Sequence, residues 1–255
     1  MKIYGMTDTG MCRMDNQDYF SACTVAPPPR IKGARKREKE ALLAVVCDGM
    51  GGMQGGKEAS VIAAAAFTKR MTQDYREDMN DDALSELMYA AAGDANQAVY
   101  TAAVAADLRM RMGTTLVAAV LRGHQCRVIN IGDSRAYVIC GEGETTQITV
   151  DHTAAQYLYE RGDIEAEERA THPRRNELTR AVGVMPHVLA DCFACTLEEG
   201  HRLLLCSDGL YGMLEDALMG RLAMAAPPAD AAKHLLDAAN EQGGRDNISV
   251  ILIAP

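Results

Sequence analysis

Ala41-Leu-Leu-Ala-Val-Val-Cys-Asp48-Gly49-Met-Gly-Gly-Met-Gln-Gly-Gly56-Lys57 can be read in two ways. Residues 41–47 are an uninterrupted apolar run, which marks a buried strand. Residues 49–56 are glycine-rich, and 57–74 have the spacing of an Ala-rich helix. A strand, a glycine loop and a helix nearly match the phosphate-binding P-loop of an NTPase. The residue after Lys57 is Glu58, however, where a Ser or Thr hydroxyl should hold Mg²⁺. A carboxylate there would face the nucleotide phosphates. The second reading takes Asp48-Gly49 as a carboxylate and a tight turn delivered from the end of a strand.

Four more short acidic clusters support the second reading: Arg13-Met-Asp-Asn-Gln-Asp18, Asn130-Ile-Gly-Asp133-Ser-Arg135, Leu205-Cys-Ser-Asp208-Gly209 and Arg245-Asp246-Asn247. Carboxylates carried on strand ends converge at one edge of a sheet, where cations must offset their repulsion. All-oxygen sites of this kind suit hard ions such as Mg²⁺ or Mn²⁺. The chemistry implied is a metal-dependent hydrolase.

Along the rest of the chain, 2–25 reads as strand, turn and strand, with Asp8-Thr-Gly10 as the turn. Residues 27–40 open with three prolines and carry a basic run at 30–39, expected to be a solvated loop, with docking of an acidic partner as the lesser reading. A second long helix is expected over 81–106, capped by Asn80 or Asp81. Strands are expected over 112–122, 125–140, 145–150, 201–206 and 247–253, and helices over 210–225 and 229–242. Cys192 and Cys195 read as strand packing residues. Residues 151–177 are polar and helix-prone, with Gly162 as a break and Pro173 as a stop. Eight to ten strands and four or five helices, the helices clustered rather than alternating, favour α+β layers over a doubly wound parallel sheet.

Composition narrows the class. The net charge of −9 argues against a nucleic-acid binder with a broad basic surface. No signal peptide and no apolar run long enough to span a bilayer is visible, so a cytoplasmic protein with no membrane association is expected, its eight cysteines free thiols. Only 5% of residues are aromatic, so aliphatic side chains and Met must fill the core.

Two cations sharing one bridging Asp would activate water and polarise a phosphoryl oxygen. Arg13 would offer a planar fork to two phosphate oxygens. Arg13…Asn16-Gln-Asp18, Cys47-Asp48-Gly49-Met-Gly-Gly52, Met112-Gly-Thr-Thr115, Ile131-Gly-Asp-Ser-Arg135, Asp151-His-Thr153, Leu178-Thr-Arg-Ala181, Cys206-Ser-Asp-Gly209 and Asp246-Asn247 together resemble the PP2C (PPM) family of metal-dependent protein Ser/Thr phosphatases, in its compact bacterial branch. The motifs stand in family order and span essentially the whole chain.

The resemblance implies a single domain over 1–255 with a four-layer α-β-β-α sandwich: a central antiparallel β-sandwich flanked by helix pairs, with a mobile flap at about 154–177. It implies two Mn²⁺ or Mg²⁺ ions, with Asp48 bridging both, the Gly49 carbonyl on one, Asp208 and Asp246 completing the site, and Asp18 acting through water. Asp133 with Asp208 resembles a third metal site, and Arg13 the phosphate clamp. Phosphorylated proteins, a cognate Ser/Thr kinase and that kinase's substrates are the implied partners of a monomeric enzyme. Two positions depart from the family pattern. Gln17 stands where many relatives have Glu, and Met50 replaces a His proposed as general acid in animal enzymes, so the leaving group must take its proton from water or another group.

The rival classes are a catalytically inactive phosphatase-like binding module and the P-loop NTPase. A cysteine phosphatase is disfavoured because no Cys is followed six positions later by Arg, and an aspartyl-phosphate route because no Asp-x-Asp motif occurs. Asp8 and Asp15 read as turn residues, and Arg135 equally as an ion-pair partner or a substrate contact. His152 reads as a local packing or helix-start residue, His172 is open to a substrate role, and Met50 reads as gap filler.

Overall fold

The structure is a computed structural model that describes residues 2–25, 41–109 and 111–254, leaving aside the side chains of 52–54. The basic run 30–39, read above as a solvated loop, lies outside the described residues. The chain begins with β1 (Lys2–Asp8), β2 (Asp18–Val25), β3 (Ala41–Met50), α1 (Gly52–Asp74) and α2 (Asp81–Ala105). It continues with β4 (Gly113–Thr114), β5 (Leu116–Arg122), β6 (Gln125–Ile131), β7 (Arg135–Ile139), β8 (Thr145–Gln147), α3 (Ala154–Glu160) and α4 (Ala166–Arg169). It ends with β9 (Asp191–Thr196), β10 (Arg202–Cys206), α5 (Asp208–Tyr211), α6 (Asp216–Met224), α7 (Pro228–Glu241) and β11 (Ile248–Ala254).

Two antiparallel sheets form. One has the order β1-β11-β10-β7-β8, the other β2-β3-β5-β6-β9, with the short β4 paired to β3. Alternation explains why the central strands read as unbroken apolar runs. Along β3, Leu42, Ala44 and Val46 enter the core between the sheets, while Leu43, Val45 and Cys47 pack with residues of α1 and α2. Along β10, Leu203 and Leu205 face the other sheet, while Leu204 and Cys206 meet α6 and α7. Each sheet is therefore buried on both faces, which removes the polar half of the usual two-residue alternation of an antiparallel strand. The result is the expected α-β-β-α layering.

Several boundaries differ from expectation, and each difference builds the site. The predicted strand 125–140 is two strands in different sheets, β6 and β7, joined through Gly132, Asp133 and Ser134. Gly132 has φ +105°, and a Cβ there would lie 2.7 Å from the Thr115 side chain, so only glycine lets the chain cross between sheets here. The predicted strand 112–122 divides at Thr115 into β4 and β5. Helix α1 starts at Gly52 rather than 57: a Cβ on Gly49 would stand 2.2 Å from the Gly56 carbonyl oxygen, so these glycines permit close packing of strand end and helix. The predicted helix 210–225 is broken into α5 and α6, and α7 begins one residue early with Pro228 in its first turn. Asn80 caps α2 as expected, its side chain accepting from the Ala83 N–H at 2.9 Å. The described residues hold eleven strands and seven helices; the excess over the expected number comes from the breaks just described and from two- to four-residue elements such as β4, α4 and α5, too short for periodicity to register.

Candidate active site

Strand termini bring the five acidic clusters together. Asp18, the first residue of β2, is the register partner of Asp48 near the end of β3. Asp208 follows β10 by two residues, Asp246 precedes β11 by two, and Asp133 rides the β6–β7 crossing. A cavity of about 610 Å³ at this edge is lined by Arg13, Asp48, Gly49, Asp133, Asp208 and Asp246, among others. Asp18 is not among the lining residues. It is buried beside them, accepting a 2.6 Å hydrogen bond from the Ser207 hydroxyl, which in turn accepts from the Ser249 N–H at 2.9 Å.

The electrostatics are those of a carboxylate cluster short of cations. Burial, and then repulsion from Asp208 and Asp246, push the Asp18 carboxyl up to about 7 against the opposing hydrogen bonds from Ser207 and Ser249. Burial and the neighbouring Asp246 raise Asp208 to about 6. Asp48 and Asp133 are pushed up by burial first and by their neighbours' charge second. One oxygen each of Asp18 and Asp208 (Oδ1) is buried without a hydrogen-bond partner. Orphaned carboxylate oxygens facing like charges fit hard divalent cations. Among the described residues, no three His, Cys, Asp or Glu side chains close into a complete cage.

Arg13 is carried on a loop held from below by the chain's far end. The Met11 and Cys12 N–H groups donate to the Gly244 carbonyl at 2.7 and 3.2 Å. The Asn247 amide does the rest: its oxygen accepts from the Gln17 N–H at 2.8 Å, and its nitrogen donates to the Thr9 and Asp15 carbonyls at 2.8 and 3.0 Å. The Arg13 side chain, 55% exposed, forks onto Asp246 through Nε at 2.8 Å and a terminal nitrogen at 2.6 Å. Asn247 had appeared in the sequence only as the second half of an Asp-Asn motif. Its role depends on contacts 230 to 238 positions apart, which no local pattern carries. Asn247→Ala is expected to raise KM for a phosphopeptide by about tenfold, since three hydrogen bonds of roughly 1 kcal/mol each are partly replaced by water; steady-state kinetics that leave KM unchanged contradict this positioning role.

Further supports were also invisible locally. Asp48 N–H donates to Thr115 Oγ1 at 2.9 Å, and Thr115 shares a 2.6 Å hydrogen bond with Ser134. The Tyr211 hydroxyl donates to the Asp133 carbonyl at 2.9 Å, and its ring lies 3.6 Å beneath the Arg135 guanidinium. Arg135 pairs with Asp151 at 2.6 Å, which selects the ion-pair reading for it. His152 is buried: Nδ1 accepts from the Gly132 N–H at 3.1 Å, so Nε2 carries the proton and donates to Asp191 at 3.0 Å. Burial lowers its pKa. It supports the crossing next to Asp133, while Thr153, not His152, caps α3. The His172 ring accepts from the Arg174 N–H at 3.1 Å and is absent from the cavity lining. Asp8 serves its turn by accepting from the Gly10 N–H at 2.8 Å. Asp15 and Met50, read as turn and filler residues, in fact line the cavity, as do Asn176 and Leu178 where segment 154–177 rejoins the body.

Glu58, the flaw in the P-loop reading, is exposed, and β3 pairs antiparallel to both β2 and β5. The strand before a P-loop belongs to a parallel sheet instead.

Comparison with known proteins agrees with this geometry. The family model for protein phosphatase 2C matches residues 16–249. The serine/threonine phosphatase stp of Listeria innocua is 32% identical over 97% of this chain and 93% of its own length. The structure of the S. agalactiae serine/threonine phosphatase superposes with a TM-score of 0.87 at 28% identity, covering 99% of this chain and 98% of that one. The catalytic domain of PstP in complex with two manganese ions gives 0.77 at 29% identity over 98% and 96% of the two chains. The chain belongs to the protein phosphatase 2C family.

Proposed function

We propose that this chain hydrolyses phosphoserine and phosphothreonine in proteins by direct attack of water, with no covalent enzyme intermediate. The observation that carries the reading is one cavity lined by Asp48, Asp133, Asp208, Asp246 and Arg13, with the Gly49 backbone at its wall. Asp48, Asp208 and Asp246 with the Gly49 carbonyl are the groups to hold two Mn²⁺ or Mg²⁺ ions, Asp18 contributing through water and Asp133 with Asp208 holding a third. When bound, such ions supply a Lewis acid that makes water nucleophilic at neutral pH and offsets charge on the phosphoryl group. The half-exposed Arg13 guanidinium, whose fork rests on Asp246 in this structure, is the group to turn onto two phosphoryl oxygens and orient the ester once Asp246 is engaged by an ion. Asn247 fixes the loop that carries it, and the Thr115–Ser134 and Ser207–Ser249 hydrogen bonds hold the carboxylates in place. No His is among the cavity's lining residues, so with Met50 in place of the family's His the leaving alkoxide takes its proton from water or another group.

The domain is taken as 1–255 with 154–177 as its flap, which meets the cavity through Asn176. Phosphoproteins made by a cognate Ser/Thr kinase are the substrates of a monomer working in the cytoplasm. Eight free cysteines support a reducing compartment, and no helix among the described residues is long and apolar enough to cross a membrane.

The decisive experiment is phosphate release from a phosphothreonine peptide with Mn²⁺ and with chelator. Metal-dependent release is expected; no release from folded, metal-loaded protein overturns the reading in favour of a non-catalytic module. In the same assay Arg13→Ala is expected to weaken phosphate engagement, raising KM about tenfold or more for the loss of a bidentate charged contact. Unaltered KM and kcat together contradict the clamp.

A further inference from the structure

Three cysteines on the sheet edge away from the cavity play no part in this chemistry. Among the described residues, strand β9 is the outermost strand of its sheet and pairs only with β6. In that pairing Cys126 stands directly opposite Cys195. Both pack into the core between the two sheets, Cys126 buried and Cys195 partly exposed. Cys192 is three residues away on the same strand but faces the other side, its thiol on Ser85 of α2 at 3.8 Å.

We propose that Cys126 and Cys195 form a redox-modification site, a cross-strand thiol pair that hydrogen peroxide or an organic hydroperoxide converts to a reversible disulfide. Two positions along the same ladder the Leu197 N–H donates to the His124 carbonyl at 2.8 Å. The 126–195 pair is therefore a hydrogen-bonded one, with Cα atoms about 5.5 Å apart, inside the range a disulfide spans. The Cβ atoms of such a pair sit somewhat wider than an unstrained bridge prefers, about 5 Å against 4 Å. Strain of this kind makes a bridge easy to reduce, the property of a labile disulfide rather than a structural one.

The two thiols are not equivalent. Their mutual hydrogen bond lowers the Cys195 pKa and raises that of Cys126, and Arg127 helps hold Cys195 down. Cys195 is also the partly exposed member of the pair while Cys126 is buried, so peroxide reaches Cys195 first and Cys126 is the resolving thiol. The Cys195 sulfur attacks one peroxide oxygen, the O–O bond breaks, and a sulfenic acid and hydroxide form. The Cys126 sulfur then attacks the sulfenic sulfur, the S–S bond forms, and the oxygen leaves as water with the Cys126 proton. In all, two thiols lose two electrons and two protons, and one hydrogen peroxide becomes two waters, or one organic hydroperoxide an alcohol and a water. Resolution by Cys126 stops oxidation before the irreversible sulfinic stage. Among the other cysteines, Cys47 and Cys206 are buried in the helix-facing cores with pKa values pushed up by burial.

The test is non-reducing peptide mapping of the full chain after stepwise addition of hydrogen peroxide in the presence of chelator. The expected product is a Cys126–Cys195 peptide pair, restored to free thiols by dithiothreitol. Cys126→Ser is expected to accumulate a dimedone-reactive sulfenic acid at Cys195, while Cys195→Ser leaves Cys126 as thiol. Cys12 is exposed at the cavity and will oxidise as well. If Cys126 and Cys195 both remain alkylatable once Cys12 has been consumed, the proposal fails; it fails equally if either is found bridged to a different cysteine. The wild-type map decides this even where a variant does not fold.

Discussion

Asp208→Asn is expected to lower kcat by about 10³-fold or more while the protein stays folded, because in the proposed ligand set Lewis-acid stabilisation worth several kcal/mol depends on this carboxylate. The physical argument has two sides. Asp208 is set by the start of α5 immediately after β10, so its position is fixed by two packed elements, and an isosteric amide preserves the packing. Its charge, however, is a burden to the protein in chelator: burial and Asp246 already push its carboxyl up to about 6. Removing that charge relieves repulsion on Asp18, Asp48 and Asp133, each of which is raised in part by Asp208. In chelator the variant should therefore melt no lower than wild type, and calorimetric titration should show weakened Mn²⁺ binding. Wild-type turnover together with wild-type Mn²⁺ affinity would remove Asp208 from the ligand set. Loss of activity accompanied by a lower melting temperature in chelator would instead indicate a structural role.

The second large effect is on stability against pH with metal chelated. Asp18 and Asp208 carry folded-state pKa values of about 7 and about 6, above the ordinary carboxylate value of 3.8. A carboxyl that is harder to ionise in the folded state binds more protons there than in the unfolded chain. Its favourable contribution is present at low pH and is lost as pH rises through the raised folded value. In chelator the melting temperature should consequently fall between roughly pH 4 and 7, by about 5 °C or more for a chain of this size. General acid denaturation, which acts through other groups, sets in below that window. Saturating Mn²⁺ or Mg²⁺ should reverse the slope, since ions that bind only the folded, ionised cluster add stability as the carboxylates deprotonate. A melting temperature that rises with pH across this window in chelator contradicts the raised carboxylate values. Asp208→Asn should flatten the trend, which ties the two experiments to the same group.

Much of the molecule could be read from one dimension. The apolar runs before Asp48 and Asp208 placed two carboxylates on strand ends, because burial on both faces leaves a composition that survives without knowledge of the partners. Asn80 announced the start of α2, since capping is settled within four residues. The order of the acidic motifs was enough to resemble a family, and six of the seven residues it nominated line one cavity. Other features had no local cause. The break of 125–140 at Gly132 comes from a crossing between sheets, and its necessity lies in the Thr115 side chain against which a Cβ would collide. The split of 210–225 follows from α5 turning beneath the cavity before α6 packs on the outer face, a packing event that leaves little trace in periodicity.

The amino-acid sequence by itself determined the chemistry: which groups are acidic, which strands are buried, and which turns are tight. These follow from short-range pattern and side-chain type. Only the tertiary structure decided which groups meet. It placed Asp18 behind the cavity rather than in its wall, gave Asn247 the Arg13 loop to hold, set His152 beneath Gly132, and put Cys126 opposite Cys195. Those pairings join residues from 20 to 238 positions apart. They are fixed by sheet register and layer packing, which depend on the whole chain at once.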